Sequence, residues 1–128
     1  MPNYLTKNFT YEELACKHCG RMHIPSAFVV RLQTLRDLYG KPMHVSSGDR
    51  CPEHNAVVST TGPNGPHTKA AVDVLVSGPE AYALLVLALR EGFTGIGVHQ
   101  KGPHGQRFIH LDALDDEAGQ PRPTLWSY

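Results

Sequence analysis

The stretch Ala70-Ala-Val-Asp-Val-Leu-Val76 constrains this chain more than any other. It is a short apolar run with one charged residue inside it, and it reads as a buried strand. A carboxylate in such a strand is costly unless it is paired or bound to a metal. Whatever fold forms must therefore bring a partner to Asp73.

The elements around that strand follow from local signals. Thr10-Tyr-Glu-Glu13 has the spacing of a capping box and predicts a short helix start. Pro25-Ser26 opens a second helix, in which Phe28, Leu32, Leu35 and Tyr39 recur at helical spacing until Gly40 stops it. Met43 to Ser46 reads as a strand, Pro52 to Val58 as a short helix, and Ser59 to Pro66 as a loop. Ser77-Gly-Pro-Glu80 predicts a second capping box and a helix running to about Arg90. Gly95 to His99 and Arg107 to Leu111 read as two strands of a hairpin. The tail from Leu114 is polar and Pro-containing, with Trp126 expected to pack it on the core. The expected fold is α+β, with N-terminal helices packed on a small, mostly antiparallel sheet.

A chain of 128 residues suits a single domain, taken here as residues 1–128. Twelve Lys plus Arg balance twelve Asp plus Glu, so no basic excess points to nucleic acid and no charge run points to a membrane surface. The N-terminal stretch lacks the roughly 7–15-residue apolar core of a secretory signal. The expectation is a monomer, cytoplasmic on synthesis.

Histidine is abundant, with eight copies, and cysteine is odd in number, with three. His67 ends the loop before Asp73, and His110 sits in the strand-like Arg-Phe-Ile-His-Leu-Asp. Two histidines and one carboxylate are a recognised ligand set for catalytic zinc, with a fourth position left for water. Zinc lowers the pKa of water enough to supply a nucleophile at neutral pH. Spacing alone does not join His67 and Asp73 to His110, and each has the ordinary reading of a polar residue. The His-Glu-x-x-His helix motif is absent.

Three segments join them by resemblance. Ser46-Ser-Gly-Asp-Arg-Cys-Pro-Glu-His-Asn55, Gly65-Pro-His-Thr-Lys-Ala-Ala-Val-Asp-Val74 and Phe108-Ile-His-Leu-Asp112 resemble the zinc D-Ala-D-Ala carboxypeptidase and L-Ala-D-Glu endopeptidase family, in that family's order. These are peptidoglycan peptidases whose fold is shared with the hedgehog signalling domain. The resemblance runs from about Phe9 to the Trp-Ser-Tyr end. It implies that His67, Asp73 and His110 are the zinc ligands and that Arg50 holds the substrate carbonyl or carboxylate.

The chain departs from the family pattern twice. His67 and Asp73 are six apart, one residue closer than is usual in the family, and the Gly normally between them is missing. Many members carry an acidic base three residues before the last zinc histidine, where this chain has Arg107, which cannot serve as a base. Asp112 and His104 are the alternative base candidates. Asp112 shares a strand face with His110 and has the equal alternative of supporting that ligand. His104 lies in the hairpin turn, where a solvated residue is the plainer reading.

Cys16-Lys-His-Cys19 and Cys51-Pro-Glu-His54 form two halves of a possible structural zinc site, with His18 and His23 as alternatives to His54. One disulfide with a spare thiol, or three reduced packed cysteines, are the competing readings. The leading function is a zinc metallopeptidase acting on peptidoglycan stem peptides, bacterial or phage-encoded and acting at the cell wall after release. The cut bond is left open among D-Ala-D-Ala, L-Ala-D-Glu and a cross-bridge. A non-catalytic zinc-containing binding module of the same fold is the alternative, and Arg107 is the feature that favours it.

Overall fold

Thr10 caps the first helix as its spacing predicts. Its hydroxyl accepts from the Glu13 N–H at 3.2 Å, and the Glu13 carboxylate accepts from the Thr10 N–H at 2.8 Å. In the computed structural model, which describes residues 2–128, this helix is a single turn, α1 (Tyr11–Leu14). Helix α2 (Ser26–Tyr39) stops at Gly40, whose φ of 73° is the left-handed conformation that ends many helices. Strand β1 (His44–Ser47), helix α3 (Pro52–Val58) and strand β2 (Ala71–Leu75) follow. Helix α4 (Gly78–Arg90) begins after Ser77, but the Ser77 side chain makes no capping hydrogen bond, so the second expected box does not form. Strands β3 (Gly95–His99) and β4 (Phe108–Asp112) make the expected hairpin.

The tail departs from expectation. Thr124–Ser127 forms a fifth strand, β5, running parallel to β3 at the sheet edge. The sheet order is β1-β2-β4-β3-β5, antiparallel except for that last pair. The fold is α+β.

Side chains alternate across a strand, and the two faces of this sheet have opposite characters. Val72, Val74, Ile96, Ile109 and Leu111 join Phe28, Leu32 and Leu35 of α2 and Ala81, Leu84 and Ala88 of α4 in one buried cluster. Asp73, His110 and Asp112 point the other way. The pairing register sets Ser47, Asp73, His110, Gly97 and Trp126 in one row across all five strands. The carboxylate in the apolar run is thus buried opposite a histidine on the neighbouring strand. Among the described residues, no helix is long and apolar enough to cross a membrane.

Candidate metal centre

Asp73 sits at the middle of β2 with its side chain 9% exposed. Its Oδ1 lies 3.1 Å from His67 Nε2 and 3.2 Å from His110 Nδ1. The three donor atoms all lie within 4.8 Å of one another. His67 reaches this point from a 3-10 turn, Pro66–Thr68, that follows the loop after α3. That tight turn spans the shortened spacing between His67 and Asp73, so the missing residue does not separate the two side chains.

The outer nitrogen of each imidazole is committed elsewhere. His67 Nδ1 is 2.7 Å from the Gly48 carbonyl, which can only accept, so Nδ1 carries a proton and Nε2 is the nitrogen left to meet Asp73 or a metal. His110 Nε2 is 2.8 Å from Asp112 Oδ2, which leaves Nδ1 to face Asp73. Outer hydrogen bonds of this kind fix the tautomer and orientation of metal-binding histidines. Two imidazole nitrogens and a carboxylate oxygen converging in a buried site fit a zinc ion by donor type and number.

The electrostatics follow the same contacts. Burial would raise the Asp73 pKa, but hydrogen bonds from His110 and His67 hold it well below the carboxylate range. Burial would lower that of His110, and its bonds to Asp112 and Asp73 raise it instead.

Arg50 faces the second oxygen of Asp73, with Nη2 3.6 Å from Oδ2. Its Nε donates to Ser47 Oγ at 3.2 Å and its Nη1 to Asn55 Oδ1 at 3.1 Å. Asn55 is itself buried and donates to Thr61 Oγ1 at 2.9 Å. The motif around Arg50 therefore holds the guanidinium at the cluster of His67, Asp73 and His110 through side chains on both sides.

A cavity of about 540 Å³ opens over these groups. Ser59, Thr60 and Thr61 line one part of it, and Phe108, Trp126 and Tyr128 another. Trp126 packs over the His110 ring, with centroids 4.8 Å apart, and not on the helix-covered core where the sequence reading put it. Burial raises the Tyr128 phenol above its ordinary pKa, so it stays protonated at neutral pH.

The two base candidates are placed differently. The Asp112 side chain has no exposed surface and does not line the cavity. Besides His110 it accepts from Arg122 Nε at 2.9 Å and Nη2 at 2.8 Å, and from the Leu114 N–H at 3.2 Å. His104 is exposed in the turn His104–Gln106 and does not line the cavity either. Arg107 donates to the Gly102 carbonyl at 3.1 Å and lines a separate cavity beside Tyr82 and Leu85 of α4.

Cys16, Cys19 and Cys51 form a second group, with sulfurs within 4.8 Å of one another and no disulfide among them. The His54 ring stacks on that of His18, with centroids 5.5 Å apart, and the His18 Nδ1 lies 3.2 Å from Cys51 Sγ.

Several supporting residues had no signal in the sequence. Arg122 lies in the tail, and only the return of β5 brings it to Asp112. Arg21 pairs with the buried Asp49 at 3.1 Å, a partnership that depends on two loops meeting. Tyr128 reaches the cavity by the same route as Trp126.

The family model for Peptidase M15 matches residues 7–112. That span takes in His67, Asp73, His110, Arg50 and all three cysteines. No curated protein matches the sequence. The matching family is the zinc D-Ala-D-Ala carboxypeptidase-type family that the three motifs resemble. The chain belongs to the peptidase M15 family of zinc metallopeptidases.

Proposed function

We propose that this metallopeptidase hydrolyses an amide bond in peptidoglycan stem peptides, with zinc held by His67, Asp73 and His110. The observation that carries the reading is the convergence of two imidazole nitrogens on Asp73, each ring fixed from behind by Gly48 or Asp112. Zinc in such a set polarises a carbonyl and makes water a nucleophile at neutral pH.

The chain's own residues supply the rest. Arg50 offers a fixed cation beside the ligands, suited to a substrate carbonyl or a terminal carboxylate. Trp126 and Tyr128 give the cavity an aromatic wall, and Ser59, Thr60 and Thr61 supply hydroxyls for peptide groups. Asp112 acts as a positioning residue, because its oxygens are already occupied by His110, Arg122 and Leu114. Neither Asp112 nor His104 lines the cavity, and Asp73 is the one carboxylate among the cavity residues, so His104 could serve as base only by a movement of its turn. The chain is bacterial or phage-encoded in this reading, and works as a monomer on wall reached after release.

The same shortage of carboxylates favours a second reading, a zinc-containing module that binds wall peptides without cutting them. Incubation of the zinc-loaded protein with purified cell wall, followed by mass spectrometry, separates the two. New stem-peptide fragments, absent with His67→Ala, are expected, and their termini identify the bond. Wall binding with no fragments would replace the peptidase reading with the second one.

A further inference from the structure

The cysteine group lies outside the centre at Asp73 and needs its own account. Cys16 and Cys51 are buried and Cys19 is exposed. The loop between the first two cysteines closes on itself. The Gly20 N–H donates to the Cys16 carbonyl at 2.8 Å, and the Cys16 N–H to the Arg21 carbonyl at 2.7 Å. Gly20, with φ of 79°, takes the turn conformation that a side chain would disfavour.

The second segment meets this loop through sulfur. The Cys51 N–H donates to Cys16 Sγ at 3.3 Å, and His18 Nδ1 lies 3.2 Å from Cys51 Sγ. Three sulfurs are therefore gathered from two segments far apart in sequence, with one imidazole nitrogen against the Cys51 sulfur. A disulfide would use two of the sulfurs and leave the third beside it. A tetrahedral zinc ion takes three thiolates and one imidazole, at about 2.3 Å and 2.0–2.1 Å, and leaves no donor over.

We propose that Cys16, Cys19, Cys51 and His18 form a closed, structural zinc site, separate from the centre at Asp73. Zinc binding releases the thiol protons to solvent and involves no change of oxidation state. His18 is the fourth ligand because its nitrogen faces the sulfur, whereas His54 stacks on the His18 ring.

The site acts on the catalytic region through the backbone. Arg21, at the end of the cysteine loop, pairs with Asp49 at 3.1 Å and donates to the carbonyls of Arg50 at 2.8 Å and Thr68 at 3.1 Å. Gly48, the neighbour of Asp49, holds His67 through its carbonyl. The Arg50 N–H donates in turn to the His67 carbonyl at 3.0 Å. A metal clamp on Cys51 and the Cys16–Cys19 loop therefore fixes the segment that orients His67 and carries Arg50.

The test uses the full chain carrying His67→Ala, which weakens the centre at Asp73 and keeps the cysteines. Reconstitution with cobalt(II) alone should give one equivalent of cobalt with strong near-ultraviolet sulfur-to-metal charge-transfer absorption. Adding Cys51→Ser should abolish that band. His18→Ala should weaken zinc binding by more than the roughly 10–100-fold that loss of an outer hydrogen-bond partner costs, and His54→Ala by less. Thiol titration of the unsubstituted chain guards against misfolded variants: zinc should slow the reaction of all three cysteines together. A cobalt protein without the charge-transfer band, or thiols that react at the same rate with and without zinc, would overturn the site. Equal or greater weakening by His54→Ala would overturn the assignment of His18. Because the readouts are spectra and thiol rates, the result is independent of whether the protein cuts cell wall.

Discussion

Asp112 has no exposed surface, and its two oxygens accept from His110, Leu114 and both Nε and Nη2 of Arg122. A carboxylate with this many donors has little basicity left for catalysis, but it can hold the His110 ring in place. Asp112→Asn keeps the shape, removes the charge and leaves the buried part of Arg122 facing a neutral amide. Breaking a buried ion pair from one side costs about 3–5 kcal/mol. Metal affinity should fall about 10–100-fold, as for other outer partners of ligand histidines. Chelator competition and urea unfolding measure the two losses. The diagnostic quantity is turnover per bound zinc: it should survive if Asp112 positions His110, and a loss of about 10²–10⁴ with zinc retained would make Asp112 the base after all. Acid stability tests the same residue. Burial alone would raise the Asp112 pKa, but the bonds from His110 and Arg122 hold it at about 2. That lies below the unfolded value of about 3.9, so the stabilisation is complete above that pH and lost as pH falls through the folded value. Between pH 5 and pH 2.5 the metal-free parent should lose more of its urea midpoint than Asp112→Asn does. Equal losses would mean that other carboxylates carry the acid sensitivity.

Strand β3 matters to the site for what its glycines leave out. A Cβ at Gly95 would collide with the Asp112 carboxylate, and one at Gly97 would come within 2.5 Å of Trp126 Nε1 and 2.9 Å of the Tyr128 hydroxyl. The alternation Gly95-Ile-Gly97 thus clears the site face while Ile96 fills the core face. Gly95→Ala should therefore lower metal affinity without altering any ligand, and Gly97→Ala should displace Trp126 at a cost of about 1–3 kcal/mol, the usual range for overpacking. Zinc titration and tryptophan fluorescence check them; an unchanged zinc affinity in Gly95→Ala would show that Asp112 is not held against β3. This strand also marks where the sequence stopped being readable. The helices, the hairpin and β2 were legible because periodicity, Gly40 and the turn residues are local signals. Strand β5 was not, since its partner β3 lies some way back in the chain and its own four residues are embedded in polar, Pro-containing sequence. With β5 missing, Arg122, Trp126 and Tyr128 could not be placed. His67, Asp73 and His110 were individually plain as polar residues in or beside apolar strands, yet only the motif order grouped them, because register between strands is set by tertiary pairing.

The whole molecule divides its labour between the two faces of one sheet. Helices α2 and α4 cover one face and supply the buried apolar cluster, while the other face carries Asp73, His110 and Asp112 under an open cavity. Burial of Leu84 is complete, and it belongs to the cluster on the helix side. Leu84→Ala should cost about 2–5 kcal/mol, the range for a buried leucine, and leave zinc per folded chain unchanged. His67→Ala removes a proposed zinc ligand and two hydrogen bonds, to Gly48 and Asp73, so in metal-free protein its cost should be about 1–3 kcal/mol, from about 0.5–1.5 kcal/mol for each bond. In excess zinc the parent gains stability by mass action that His67→Ala lacks, so the gap between them should widen with zinc concentration. If the faces are independent, the double variant in metal-free buffer should equal the sum of the two single changes within about 0.5 kcal/mol. A coupling well above that would mean that packing on the helix side sets the position of His67. The centre could then not be treated as a set of side chains mounted on a separately stable sheet.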